Sequence, residues 1–158
     1  MERKTRIDAE EGRQDLLITR EFDLPVELLF RAYEEPQLVA QWMGTNVLKL
    51  ENKNHGSYQF ETADANGNVV FRANGVIHEF VPGNKITRTF QMENTPFPVQ
   101  LEFLEFEKLS EETSKLRMQI LFKSVADRAN VLRLPFRQGI NMAHDRLQQV
   151  LDKLKSKV

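Results

Sequence analysis

Cysteine is missing from all 158 residues, which excludes disulfides, thiolate nucleophiles and cysteine-ligated metals. A dominant charge is missing too. The 22 Lys and Arg residues against 23 Asp and Glu leave a formal net charge of −1, with no electrostatic footprint for nucleic acid or an anionic membrane. No apolar run approaches the length of a membrane span. Residues 1–12, Met1 to Gly12, are charged and lack the apolar stretch of a secretion signal. A cytoplasmic protein is the expectation. No Gly-rich phosphate loop and no serine nucleophile elbow occurs. What remains, 41% apolar and 28% charged, is the composition of an ordered globular chain, and the length suits one domain. Residues 1–12 read as a solvated, charged lead-in and residues 13–158 as the domain.

The most informative stretch runs from Ile18 to Gly44. An extended segment stops at Pro25, and Val26, Leu29, Phe30 and Tyr33 follow at the i, i+3, i+4, i+7 spacing of one buried helix face. Proline suits a first helical turn because its absent N–H has no helical partner to lose. A second, shorter helix opens at Pro36 and closes before Gly44.

From Val47 the period changes from helical to two-fold. Strands are expected at Val47 to Leu50, around Tyr58 and Phe60, from Val69 to Phe80, from Ile86 to Met92, from Val99 to Lys108, and through Leu116, Met118, Ile120 and Phe122. Turns punctuate them at His55-Gly56, at Asp64 to Asn68 with its Asn-Gly pair, and at Pro82-Gly83-Asn84. After Ser124 the helical period returns, is interrupted at Pro135, and continues with an apolar stripe of Ile140, Ala143, Leu147, Val150 or Leu151, and Leu154. Such a helix needs a sheet to lie on. The expected fold class is α+β: a curved antiparallel sheet of about seven strands around a long C-terminal helix, with two short helices after the first strand.

That opening, together with Gly75 to Ile86 and the Gly139 to Leu147 segment with its Asp145-Arg146-Leu147 run, resembles the activator-of-heat-shock-protein-90-ATPase homologue-like family. The family belongs to the polyketide-cyclase, lipid-transfer and birch-pollen-allergen superfamily of helix-grip folds. Trp42-Met43-Gly44 stands where many relatives carry two tryptophans and a glycine, and His55-Gly56 where they often carry two glycines. The resemblance implies a hydrophobic cavity between sheet and C-terminal helix. A chaperone partner follows from the family name alone.

No metal site is read from His55, His78 and His144, which fall on a turn, a strand and a helix without zinc-like spacing. Glu61, Glu79, Glu102, Glu105 and Glu107 alternate with apolar residues on strands, as solvent-facing carboxylates do, and no catalytic pair is read from them. Arg88 and Arg117 read as surface arginines that could otherwise orient a carboxylate or phenolate. The stronger signal is aromatic: eleven phenylalanines with Trp42, Tyr33 and Tyr58. The expected cavity lining is Trp42, Phe60, Phe71, Phe90, Phe103, Met118, Ile120, Phe136, Ile140, Ala143 and His144, with a volume of roughly 300 Å³ or more. The leading expectation is cofactor-free binding of a small apolar or amphipathic molecule. The alternatives are a cyclase- or aromatase-like enzyme acting in the same cavity and a chaperone-associated interaction module.

Overall fold

The structure is a computed structural model and describes residues 3–155. In chain order the elements are strands β1 (Arg6–Asp8) and β2 (Asp15–Phe22), helices α1 (Val26–Glu34) and α2 (Pro36–Met43), strands β3 (Asn46–Leu50), β4 (Ser57–Ala63), β5 (Val69–Val81), β6 (Lys85–Met92), β7 (Gln100–Lys108) and β8 (Ser114–Leu121), then helices α3 (Val125–Leu132) and α4 (Phe136–Lys155).

Three prolines stand at helix starts. The Pro25 carbonyl accepts the Leu28 and Leu29 N–H groups, both at 3.0 Å, and Pro36 occupies the first turn of α2. Pro135 separates α3 from α4, its carbonyl accepting the Gly139 N–H at 2.9 Å. Gly44 ends α2 in the left-handed region at φ 66°, where a side chain is strained. Ser124 caps α3, its hydroxyl oxygen accepting the Asp127 N–H at 3.1 Å.

The strands form one antiparallel sheet in the order β1-β2-β8-β7-β6-β5-β4-β3. This is the expected α+β helix grip, with one strand more than expected. The addition, β1, lies in the lead-in that composition marks as solvated. Ile7 faces Ile18 across the β1–β2 pair. Just before it, Arg3 reaches Asp23 and Glu21 at 3.0 and 3.1 Å, and the Thr5 hydroxyl lies 2.7 Å from His144 Nδ1. These partners are distant in sequence, so local charge density gives no sign of them.

The inner face of the sheet carries Leu16, Ile18 and Phe22 of β2, Leu104 and Phe106 of β7, and Leu116, Met118 and Ile120 of β8. Helix α4 adds Leu147 and Leu151, fully buried, while Ile140, Ala143, Val150 and Leu154 pack against this core half-buried. Each fully buried leucine contributes about 1.5–3 kcal/mol relative to exposure. Arg146 of α4 donates to the Trp42 carbonyl at 3.3 Å, and the Gln148 side-chain oxygen accepts the Asp23 N–H at 2.9 Å. Helix α4 is thereby tied to the end of α2 and to the β2–α1 junction.

Candidate functional site

An apolar recess of about 310 Å³ opens beside the end of α2, lined by Met43, Thr45, Phe60, Thr62, Phe71 and Phe90. Strand periodicity builds it. Phe60 and Thr62 project from one face of β4, Thr62 lies opposite Phe71 of β5, and Phe90 projects from β6. Gly44 turns the chain so that Met43 and Thr45 close one side. The volume lies at the lower end of the range for small-molecule sites. A depression of about 400 Å³ bounded by Arg3, Lys4, Arg6, Thr19, Arg20, Glu21 and Lys115 is larger but walled by charged side chains, whose hydration opposes apolar binding.

Next to the recess the inner face becomes polar. Arg88 stands two residues from Phe90 on β6, and Tyr58 two residues from Phe60 on β4, so each pair shares a face. Arg88 Nε donates to Glu102 Oε1 at 2.9 Å, with the two side chains 9% and 4% exposed. Gln100 donates to the other carboxylate oxygen at 2.8 Å. The guanidinium lies 5.1 Å from the centre of the Tyr58 ring, whose own centre is 5.1 Å from that of Phe60. The Tyr58 hydroxyl donates to the Thr89 carbonyl.

Burial raises the Tyr33 and Tyr58 phenols above their usual range, the Arg88 charge opposing it and Glu102 adding to it. Burial also acts against the Arg88 charge, but Tyr58 and Glu102 together outweigh it, and the guanidinium is held more firmly than usual. The inner face therefore presents an ion pair flanked by neutral phenols.

The sequence profile of the family described as Activator of Hsp90 ATPase homolog 1-like protein matches residues 23–152. The chain belongs to that family. Among curated proteins, none matches this chain. Solved structures share the fold at low identity. A Rhodobacter sphaeroides protein is 16% identical with a TM-score of 0.84, over 95% of this chain and 99% of its own. Protein Ms6760 from Mycobacterium smegmatis is 17% identical with a TM-score of 0.82, over 94% and 96%. An Arthrobacter aurescens protein is 15% identical with a TM-score of 0.82, over 94% and 91%. At such identities the likeness concerns the fold alone, and the family member's site rests on its own geometry.

Of the residues expected to line a cavity, Phe60, Phe71 and Phe90 meet in the recess. Trp42 lies beside it in the core, donating to the Ala32 carbonyl at 2.7 Å and packing on Tyr33. Met118 and Ile120 are buried on β8, and Phe136, Ile140 and Ala143 pack half-buried along α4; none of these lines the recess. The recess thus lies against β4, β5 and β6, where the end of α2 forms its wall, and not along α4, the expected place of the cavity. His144 is held elsewhere, by Thr5 and by edge contact with Phe22 at 5.7 Å. Burial first, and the Arg20 charge second, lower its pKa to about 3, with Asp145 opposing.

Phe103 requires correction. It faces Thr87 and Gln119 on the outer side of the sheet, because Glu102, Leu104 and Phe106 take the inner side of β7. Glu102 and Arg88 are corrected with it, since both are buried and not at the surface, whereas Arg117 is exposed as expected. Residues 101–106, Leu-Glu-Phe-Leu-Glu-Phe, put two apolar residues and one glutamate into each alternating set, so alternation alone does not choose the face. Among the described residues, no group of three or more His, Asp or Glu side chains gathers as metal ligands would.

Proposed function

We propose that this protein binds a small, mainly apolar molecule in the recess formed by Met43, Phe60, Phe71 and Phe90. The observation that carries the reading is the convergence of three phenylalanines and a methionine on an open space of about 310 Å³. Aromatic walls provide rigid apolar surface at little entropic cost. Membership of a helix-grip family supports a ligand-binding reading without identifying the ligand. A chaperone partner rests on the family description only.

A second reading, a cyclase- or aromatase-like enzyme using the same recess, draws support from the ionisable groups beside it, Arg88, Glu102 and Tyr58. The two readings part on turnover: a binding protein returns its ligand unchanged.

The test is titration of the neutral, environment-sensitive dye Nile red into wild type, Phe71→Glu and Ile140→Trp, each first shown to be folded by circular dichroism. Phe71→Glu places a charge in the recess and weakens binding at least tenfold, the equivalent of roughly 1.4 kcal/mol. Ile140→Trp, away from the recess lining, leaves it near the wild-type value. Unchanged affinity in folded Phe71→Glu would remove the recess from consideration.

A further inference from the structure

Arg88 carries more hydrogen-bond donors than the protein uses. Its Nε is committed to Glu102, whereas among the described residues Nη1 and Nη2 meet no acceptor. They do not belong to the fully enclosed side-chain nitrogens that lack a partner, which among the described residues are Arg20 Nε, Arg72 Nε and Arg128 Nε. Arg88 as a whole is only 7% exposed, so what access its terminal nitrogens have is confined. Along β6 the next inward side chain is Phe90, which lines the recess. Residues two apart in a strand are separated by roughly 7 Å, the length of a bicyclic aromatic body with one short substituent.

We propose that Arg88 Nη1 and Nη2 hold an uncharged carbonyl oxygen of a molecule whose apolar body fills the recess, so that the ligand is an apolar ketone, ester or amide and not a carboxylic acid. This inference rests on the recess being the binding site. Charge balance sets the class. The Arg88 charge is already matched by Glu102, whose side chain is 4% exposed. A ligand carboxylate would add a second negative charge beside Glu102 in a poorly hydrated place, where Arg88 is the cation already paired with Glu102. A carbonyl accepts the free N–H groups and leaves the pair neutral. A purely hydrocarbon ligand would fill the recess but strip those donors of water without replacing it.

Three probes of nearly one shape separate these cases: 2-acetylnaphthalene, 2-ethylnaphthalene and 2-naphthoate, titrated at neutral pH into the full chain and followed by amide and phenylalanine chemical shifts. The acetyl compound binds about tenfold more tightly than the ethyl compound, as expected for a hydrogen bond to a charged donor, and the naphthoate binds more weakly than either. In Arg88→Met/Glu102→Leu, which replaces the ion pair by apolar groups, the acetyl and ethyl compounds bind alike.

Naphthoate binding as tightly as the ketone overturns the uncharged class. Equal affinity of ketone and ethyl compound for wild type, with shifts at Phe60, Phe71 and Phe90, overturns the Arg88 anchor and leaves the recess reading intact. An acetyl preference that persists undiminished in the double variant also overturns the anchor. Binding of none of the probes at those phenylalanines overturns both readings. Should the double variant not fold, the Arg88 side-chain resonances of wild type decide: they move on binding the ketone and not on binding the ethyl compound, and the opposite result overturns the anchor.

Discussion

The ring of Tyr58 occupies the space that a side chain on Gly75 would need. A Cβ built on Gly75 lies 2.5 Å from Tyr58 Cε1 and Cζ, and it also meets the Thr89 carbonyl oxygen. Gly75 and Tyr58 face each other across the β4–β5 pair. The absent side chain lets the phenol cross β5, donate to Thr89 on β6 and lie against the Arg88 guanidinium. One glycine thus decides the shape of the polar layer beside the recess.

Gly75→Ala should therefore destabilise the fold by about 1–3 kcal/mol or more, through overpacking of a rigid ring against backbone. Gly139 provides the contrast. It sits in the first turns of α4 with nothing near its notional Cβ, so Gly139→Ala should stabilise by about 0.5–1 kcal/mol. Urea denaturation of the two variants checks both signs in one experiment.

Arg88→Met alone leaves the Glu102 carboxylate buried without its cation, and should cost about 3–5 kcal/mol. Adding Glu102→Leu should restore most of the loss, because well-packed apolar replacements of a buried ion pair are often neutral. Thermal unfolding of both single variants and the double variant gives the coupling directly. Additive losses would mean that the pair contributes no mutual stabilisation.

His144 should make the fold acid-sensitive. Its folded-state pKa is depressed from about 6.5 to about 3, so the unfolded chain binds the proton more readily. Its neutral ring therefore contributes fully above about pH 6.5, and stability falls as pH drops from there towards 3, with a slope of at most about 1.4 kcal/mol per pH unit. The groups facing it are Thr5, Arg20, Phe22 and Asp145. Unfolding free energies of wild type and His144→Leu between pH 4 and 7 should differ in slope, the variant being flatter. Parallel curves would assign the acid sensitivity to other groups.

Removing residues 1–8 takes away β1, the Ile7 contact opposite Ile18 and the Thr5 hydroxyl on His144. The shortened chain should remain folded with a lower melting temperature, and its His144, now reachable by water, should titrate at a higher pH than in the intact chain. Histidine ring shifts followed by NMR measure that change. An unchanged His144 titration would show that Thr5 does not shield the ring.

Local chemistry was legible in the sequence because its causes lie within a few residues. Pro25, Pro36 and Pro135 begin helices through a missing N–H and a restricted φ. The change from helical to two-fold period and back separates strands from helices, and Phe60, Phe71 and Phe90 belong to strands in either reading. The faces of β7 were settled only by tertiary pairing. With leucine, phenylalanine and glutamate in both alternating sets, it is the partner Arg88 across β6 that allows Glu102 to turn inward and leaves Phe103 outside. The same reason hides β1 in a charged lead-in, since Thr5 finds His144 139 residues away. It also moves the recess from α4 to the end of α2, where Gly44 turns Met43 and Thr45 towards β4. Sequence sets which side chains are apolar and how each segment repeats. Which of them share a wall depends on long-range register, and a step of one residue along a strand exchanges inside for outside.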